Sequence, residues 1–226
     1  MDRGAWVAEC RAAVVADYDA QAESYDVDPY PNDAQQEWVQ RLLGTCPSGG
    51  VVLDVPCGTG RYFPMTIAAG CRVVGVDQAA AMLAMARTRG ATELHHLGLQ
   101  ELDFADRFDA AMTIDAMENV APEDWPVVLA RVHRALRPGA HWYVTVEEQD
   151  RAKLDEVFES LRERGLPAVR GEVIGTKVAG YHYYPDRAQV LNWIDAERLT
   201  VIDEGYTQHD GWGYRHVLLR AAPTGN

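Results

Sequence analysis

Cysteine is scarce in this chain, since only four of its 226 residues are cysteines. No two of them form a C-x-x-C pair, and their spacing does not match that of a zinc site. The sequence therefore predicts neither a disulfide framework nor a metal site, and it favours reduced thiols in the cytoplasm.

Long apolar segments and clusters of basic residues are also missing. No apolar run approaches the ~18 residues of a membrane-spanning helix, and the first residues do not form a basic stretch followed by an apolar one. Asp and Glu outnumber Lys and Arg by 34 to 21, and the basic residues are scattered. Because nucleic acids and anionic membranes are held chiefly by clustered Lys and Arg, neither is expected as a partner. We expect a cytoplasmic protein that binds a small molecule.

The length and composition are typical of one α/β domain. A chain of 226 residues that is 47% hydrophobic can bury one sizeable core, and typical domains hold ~100–200 residues. We therefore expect residues 1–226 to form a single domain. The sequence carries no signal for its oligomeric state.

A run of β-branched residues ends abruptly in a glycine-containing turn. Val51 to Asp54 is typical of a strand, Cys57-Gly58-Thr59-Gly60 of a tight turn, and Arg61 to Ala69 of a helix. Glycine lets the backbone approach a ligand without an intervening Cβ, and the first turn of a helix offers unpaired N–H groups. The pattern predicts a ligand-binding turn.

The third glycine of the dinucleotide-binding fingerprint G-x-G-x-x-G is missing, because Phe63 takes its place. Asp54 is a second departure, since a carboxylate inside an apolar strand is costly to bury unless a cationic or hydrogen-bonding group meets it. NAD is therefore the second choice of ligand. A second strand, Arg72 to Asp77, ends in a carboxylate 17 positions after Gly60, which suits a ribose diol. Together the two strands predict a nucleoside site.

In these motifs the chain resembles the class I S-adenosylmethionine-dependent methyltransferases. The acid and glycine-rich turn of the family's first motif are matched by Asp54 with Cys57 to Gly60, and the acid that ends strand two by Asp77. The fourth motif matches Phe108 to Val120, and Leu136 to Ala140 resembles the turn before strand five.

The resemblance, which covers roughly residues 18–150, implies a doubly wound, Rossmann-like α/β fold. Its seven-stranded sheet is expected to be mostly parallel, with an antiparallel last strand at Val217 to Leu219. The resemblance also implies S-adenosyl-L-methionine as the cofactor and an N-terminal helical lid, which we place at residues 1–30. The motifs and the resemblance together predict these cofactor-binding residues: Tyr18, Tyr25, Asp54, Cys57, Gly58, Gly60, Asp77, Gln78, Met82, Leu99, Gln100 and Asp115.

Several of these assignments have a plainer alternative. Asp54 alone would cap a turn and Asp77 alone a helix, but the ordered spacing of the motifs favours the cofactor. For Tyr18 and Tyr25, covering the cofactor and simply packing on the core are equally favoured. Gln100 stands where the family commonly has an acid for the adenine amino group; it either substitutes for that acid or lies on the surface.

The segment after strand four is expected to bring cofactor and acceptor together. It contains Asp115-Ala116-Met117-Glu118-Asn119, directly after a strand predicted at Ala110 to Ile114. Some relatives have Glu-His at the last two positions and can hold a divalent metal there, but Asn119 replaces that histidine, so no metal is predicted. Glu118 is a candidate catalytic residue, and with Asp115 it either caps the following loop or faces the acceptor.

Aromatic residues and histidines crowd into residues 177–216, which we expect to form a wall of the acceptor pocket. In Tyr181-His182-Tyr183-Tyr184, strand alternation places His182 and Tyr184 on one face. His182 is the leading candidate for a general base, because imidazole takes up protons near neutral pH. The alternative is a histidine that is merely hydrogen-bonded within the fold. The aromatic wall suits a planar, aromatic acceptor.

The resemblance implies an enzyme that transfers the methyl group of S-adenosylmethionine to an oxygen, nitrogen or carbon nucleophile of a small molecule. In-line attack at the sulfonium methyl chiefly requires orientation of two ligands and exclusion of water. Two alternatives share the fold: a S-adenosylmethionine-using enzyme of other chemistry, such as cyclisation, and a non-catalytic binding partner or regulator. An NAD-dependent oxidoreductase is disfavoured by Asp54 and Phe63.

Overall fold

The computed structural model describes residues 2–26, 33–175 and 180–222. Residues 27–30 of the predicted lid and 177–179 of the predicted pocket wall lie outside these ranges. The helices are α1 (Arg3–Gln21), α2 (Asp33–Leu43), α3 (Phe63–Ala68), α4 (Ala80–Ala86), α5 (Trp125–Ala135), α6 (Arg151–Glu163) and α7 (Arg187–Ala196). The strands are β1 (Val51–Asp54), β2 (Arg72–Asp77), β3 (Glu93–His96), β4 (Phe108–Thr113), β5 (Leu136–Gln149), β6 (Glu172–Ile174), β7 (Tyr181–Tyr183), β8 (Thr200–Gln208) and β9 (Trp212–Arg220).

Seven of these strands form one sheet in the order β3-β2-β1-β4-β5-β9-β8. The first five pair in parallel, whereas β9 runs antiparallel to both of its neighbours. The predicted seven-stranded, mostly parallel sheet with an antiparallel last strand is therefore confirmed. Strands β6 and β7 form a separate antiparallel pair.

Strand alternation divides the hydrophobic core between the two faces of the sheet. In β1, Val52 packs in a cluster with Trp38 and Leu42 of α2, whereas its neighbour Leu53 packs in a larger cluster with Leu129 of α5. Because successive side chains of a strand point to opposite faces, a strand covered on both sides is apolar throughout. This is why the central strands read as near-continuous hydrophobic runs.

Two strands extend beyond their expected bounds. Leu136 to Ala140, which the resemblance predicts to be the turn before strand five, already belongs to β5. The pairing shifts register between Phe108 and Ala110 of β4, and this irregularity lets β5 begin early. Strand β9 is also longer than Val217 to Leu219, because it pairs along its length with β8. Strand β8 was not predicted, since its sequence is polar and it lies at the edge of the sheet.

Phe63 explains why the chain lacks a third glycine in its turn. It is the first residue of α3, two residues later than the predicted helix start. A Cβ on Gly60 would lie 2.7 Å from the Phe63 ring, and a Cβ on Gly75 of β2 would also lie 2.7 Å from it. The ring thus fills the space between the turn and β2, and glycine is required at its two neighbours. The Phe63 N–H donates to the Gly60 carbonyl at 3.1 Å, so the start of this short helix does not offer that group to a ligand.

Helix α1 is anchored to the core at its N-terminal half. Trp6 and Val14 are buried in the larger core cluster. Arg3 forms an ion pair with buried Glu172 of β6 at 2.5 Å, and the Tyr181 hydroxyl of β7 donates to the same carboxylate at 2.6 Å. The expected lid therefore also contributes to the packing of the domain.

A buried histidine joins the last strand to the sheet. His216 is 1% exposed, and its ring stacks on Trp38 with the centroids 5.7 Å apart. Its Nδ1 lies 2.7 Å from the Tyr143 hydroxyl and its Nε2 lies 2.9 Å from the Thr207 hydroxyl. Burial lowers the pKa of His216 to about 4, so the ring is neutral in the folded protein.

Candidate active site

A cavity opens at the carboxyl ends of β1, β2 and β4, where a doubly wound sheet binds its ligands. Eleven of the twelve residues predicted to bind the cofactor line it: Tyr18, Tyr25, Asp54, Cys57, Gly58, Asp77, Gln78, Met82, Leu99, Gln100 and Asp115. Gly60 does not line the cavity, because its role is to make room for Phe63. The two candidate catalytic residues, Glu118 and His182, also lie outside the lining.

Asp54 is a buried carboxylate at the floor of this cavity. It is 1% exposed, and its Oδ2 has no hydrogen-bond partner within the described part of the chain. Burial, and next the carboxylate of Asp77, raise the pKa of Asp54 well above its usual range. A buried, unpaired carboxylate oxygen is costly unless a ligand supplies a donor. The cavity thus contains a group that suits an ammonium or a hydroxyl of a ligand.

Asp77 holds the glycine turn in place. Its Oδ2 accepts the Gly58 N–H at 2.8 Å, and its Oδ1 accepts the Ala79 N–H, also at 2.8 Å. Burial raises the pKa of Asp77, and these backbone donors oppose the shift. Each carboxylate oxygen can accept a second hydrogen bond, so the side chain is able to shape the turn and still receive hydroxyl groups of a ligand.

Two tyrosines and an aspartate of the N-terminal segment cover the cavity. The rings of Tyr18 and Tyr25 meet edge to face with the centroids 6.0 Å apart, and the Tyr18 hydroxyl donates to Asn119 at 3.0 Å. Asp26 accepts from the Thr59 hydroxyl at 2.9 Å and from Arg61 at 2.7 Å, and it also pairs with Arg89. This side chain ties the covering segment directly to the glycine turn.

The opposite end of the cavity combines apolar side chains with one oriented amide. Met82 and Leu99 line this end together with Gln100, whose Nε2 donates to Asp124 at 3.2 Å. Arg11 of α1, which also lines the cavity, forms an ion pair with the same carboxylate. Since a carboxylate only accepts, Asp124 fixes which end of the Gln100 amide faces away from it. Sequence reasoning missed Arg11 and Asp124, because neither belongs to a motif and they lie 113 positions apart in the chain.

The carboxyl ends of β4 and β5 bring three acids close together. Asp115 has a left-handed φ of 55°, and its N–H donates to the Thr145 hydroxyl of β5 at 2.8 Å. Glu147 lies two residues beyond Thr145 and therefore on the same face of β5. Glu118 is 6% exposed, and its Oε2 has no hydrogen-bond partner among the described residues.

Burial and mutual repulsion perturb this group of acids. Burial, and next the carboxylates of Asp115 and Glu147, raise the pKa of Glu118 well above its usual range. Burial also raises the pKa of Glu147 to about 7, and the Asp115 carboxylate adds to this. Glu147 was not predicted as a site residue, because only the pairing of β5 with β4 brings it near Asp115.

His182 and Tyr184 form a stacked pair beside these acids. Their rings are parallel within 4°, with the centroids 5.7 Å apart, whereas Tyr181 and Tyr183 are buried in the core. The alternation expected from the sequence is therefore present. Burial lowers the pKa of His182, so its imidazole is neutral at neutral pH.

Residues 2–26, 33–175 and 180–222 contain no group of three or more His, Cys, Asp or Glu side chains that could hold a metal ion. Within the same ranges, no helix is long and apolar enough to cross a membrane.

Comparisons with known proteins agree with this geometry. Residues 52–139 match the family model described as a methyltransferase domain. The malonyl-[acyl-carrier protein] O-methyltransferase of Serratia marcescens is 36% identical over 133 residues, which cover 57% of this chain and 50% of that protein. The chain thus spans about half the length of the curated relatives it matches first.

Solved structures with the same fold cover more of the chain. The 1,6-didemethyltoxoflavin-N1-methyltransferase of Burkholderia thailandensis, solved with 1,6-didemethyltoxoflavin and S-adenosylhomocysteine, superposes with a TM-score of 0.70 at 21% identity, over 93% of this chain and 88% of that one. The [4+2]-cyclase SpnF superposes with a TM-score of 0.65 at 18% identity, over 85% and 83%. At these identities the likeness concerns the fold.

The sheet order and the acid–glycine motif at its carboxyl edge define a class I methyltransferase fold. Residues 52–139, which match the family model, thus form a class I S-adenosylmethionine-dependent methyltransferase domain, as the relatives and the solved structures also indicate. The family predicted from the sequence is confirmed, and with it, at the level of the family, S-adenosylmethionine as cofactor.

Proposed function

We propose that the protein transfers the methyl group of S-adenosylmethionine to an oxygen, nitrogen or carbon nucleophile of a small molecule. The observation that carries this proposal is the cavity at the carboxyl edge of the sheet, where Oδ2 of the buried Asp54 has no hydrogen-bond partner among the described residues. When bound there, the cofactor supplies a methyl group on a positively charged sulfur.

The lining residues suit the three parts of this cofactor. Asp54 offers an acceptor to the amino group of the methionine part, and Asp77 receives the ribose hydroxyls while it holds the turn at Gly58. Met82 and Leu99 form an apolar slot for the adenine ring. All of these groups are in place in the folded chain, so binding requires little rearrangement of the floor of the site.

The covering segment excludes water from the reaction. Tyr18 and Tyr25 close the cavity on the side of α1, and Asp26 fastens them to the turn through Arg61 and Thr59. We propose that residues 1–226 form one domain in which the described part of the predicted lid opens for ligand exchange. A cover of this kind is needed where water must be kept from two reacting ligands.

We propose two candidates for the group that removes a proton from the acceptor. His182 is neutral at neutral pH and stacks on Tyr184, within the aromatic stretch proposed to wall the acceptor pocket. Glu118 lies just beyond Asp115 at the end of β4. An acceptor that is already a strong nucleophile needs neither base.

The same fold also supports other chemistry, as the cyclase SpnF illustrates, so the test must separate transfer from binding alone. We would incubate the protein with S-adenosylmethionine carrying a CD3 group and the metabolites of a cell extract, then separate molecules below about 1 kDa from macromolecules. Mass-spectrometric detection of CD3 in the small-molecule fraction, absent with an Asp77→Asn variant, supports the proposal. Label found only in protein or RNA contradicts the small-molecule acceptor. Cofactor binding without label anywhere contradicts methyl transfer.

A further inference from the structure

The acids at the ends of β4 and β5 are more numerous than binding of the cofactor requires. Asp115 lines the cofactor cavity, and its N–H contacts Thr145 on the neighbouring strand. Glu147 stands on the same face of β5 as Thr145, and Glu118 is one turn beyond Asp115. The segment Met117–Asn119 packs against β5 and β7, so the three carboxylates converge next to the cavity.

Glu118 is more direct evidence for a ligand than the number of acids in this group. The residue is 6% exposed and its Oε2 finds no hydrogen-bond donor among the described residues. In the same ranges Glu118 belongs to no ion pair. Half-buried Glu147 accepts from the Gln149 amide at 2.5 Å but likewise has no cationic partner there, whereas the adjacent Glu148 pairs with Arg215 at 2.5 Å. Buried charges in proteins are normally paired. A donor or a cation from outside the chain would complete this arrangement.

The surroundings of Glu118 place its carboxylate at the boundary between cofactor and acceptor. On one side is Tyr25, which lines the cofactor cavity. Burial, and next the carboxylates of Asp115 and Glu118, raise the pKa of Tyr25 to about 12, although Arg61 opposes the shift. On the other side is Tyr184, whose pKa is raised by burial and next by Glu147 and Glu118. Asn119, the residue after Glu118, lines the cofactor cavity and donates to the Tyr181 carbonyl of β7 at 3.1 Å, so Glu118 lies where the cavity meets the segment expected to wall the acceptor pocket.

The aromatic rings and the acids together favour a positively charged group on the acceptor. The faces of tyrosine rings attract cations, and Tyr184 presents its ring to the same space as the acids. Because burial raises the pKa of Glu118 and of Glu147, these carboxyl groups ionise most readily when a cation lies beside them, and an anionic acceptor would offer them no such partner. An organic cation therefore suits the acids and the rings together.

We propose that the acceptor carries a positively charged amine, which Glu118 and Glu147 hold beside the point of methyl transfer. This inference rests on the proposed function, because the amine is placed relative to the cofactor. Asp115 and the stacked pair of His182 and Tyr184 complete the binding surface for this group.

The experiment uses two cofactor analogues that differ in the group at the position of the methyl-bearing sulfur. Sinefungin carries a protonated amine on carbon in place of the methyl-bearing sulfur, whereas S-adenosylhomocysteine carries neither methyl nor amine. We expect isothermal titration calorimetry to show that sinefungin binds the full chain about 10- to 100-fold more tightly, because its ammonium forms charge-assisted hydrogen bonds with the acids. Glu118→Gln should lower this ratio by about tenfold, and Glu147→Gln should lower it in the same direction.

Glu148→Gln is the matched control, since Glu148 is adjacent to Glu147 but points to the other face of β5. It should leave the ratio of the two affinities within twofold of the wild-type value. Equal affinity of the wild-type chain for both analogues overturns the inference, as does a ratio that neither Glu118→Gln nor Glu147→Gln changes. If neither analogue binds at all, the proposed function itself fails, and the two failures are thereby distinguished.

Discussion

Replacing Asp77 by Asn tests whether one carboxylate both shapes the glycine turn and binds the cofactor. Asp77 accepts the N–H groups of Gly58 and Ala79, each at 2.8 Å. Asn retains one acceptor oxygen but turns an NH2 group towards the other N–H, so one charge-assisted bond is lost and two donors face each other. The loss of such a bond costs ~1.5–3 kcal/mol. We expect the dissociation constant for S-adenosylhomocysteine to rise about 10- to 150-fold.

The matched control for this change is Asp109→Asn. Asp109 is a carboxylate that accepts the N–H of Val51 at 2.8 Å. It lies near the start of β4, whereas the cavity opens at the opposite, carboxyl end of that strand. Asp109→Asn should lower the free energy of unfolding while leaving cofactor affinity within twofold. Titration calorimetry of both variants, with circular dichroism to confirm folding, provides the comparison. If Asp77→Asn binds as tightly as the wild-type chain, or if both variants weaken binding equally, the role assigned to Asp77 is wrong.

Three further predictions follow from individual contacts. Asp26→Asn weakens the ion pairs with Arg61 and Arg89, so the covering segment should open more often and release S-adenosylhomocysteine about three- to tenfold faster in stopped-flow measurements; an unchanged rate would contradict this. Because burial lowers the pKa of His216 to about 4 while the unfolded ring titrates near ~6.5, the unfolded state binds more protons between these values. The free energy of unfolding should therefore fall by up to ~3 kcal/mol as the pH is lowered from ~6.5 to 4. In urea unfolding, the His216→Gln variant should show a weaker dependence on pH; an equally steep dependence would refute this assignment. Gly75→Ala places a Cβ 2.7 Å from the Phe63 ring, so we expect the free energy of unfolding to fall by ~1–3 kcal/mol; a variant as stable as the wild type would show that the ring can move.

The anchoring of α1 changes how the lid should be tested. Deletion of residues 1–26 would be expected to leave a folded protein if this segment were only a cover. In the structure, Trp6 and Val14 belong to the main core and Arg3 pairs with buried Glu172. Removing them would expose apolar surface and leave a buried carboxylate unpaired, which destabilises the fold itself. Single changes at Tyr18 or Asp26 therefore separate closure from stability.

Local sequence patterns determined the cofactor half of this protein. Asp54, Gly58 and Asp77 lie within about two dozen positions of one another, and each follows directly from a strand whose apolar pattern is visible in the sequence. In a parallel sheet the carboxyl ends of such strands meet at one edge. The order of the motifs along the chain was therefore enough to predict that they share a cavity.

Only the tertiary structure decided which distant residues join them. Glu147 reaches Asp115 because β5 pairs with β4. Asp124 orients Gln100 because α5 packs against the short helical segment Leu99–Glu101. These contacts depend on register and helix packing, which are set by the whole core and leave no local periodicity to detect. The absence of a third glycine is the clearest case: from the sequence, Phe63 only weakened the match to a dinucleotide site. In the fold its ring occupies the space that Gly60 and Gly75 leave open. Glycine is needed at these two positions because the Phe63 side chain packs between them.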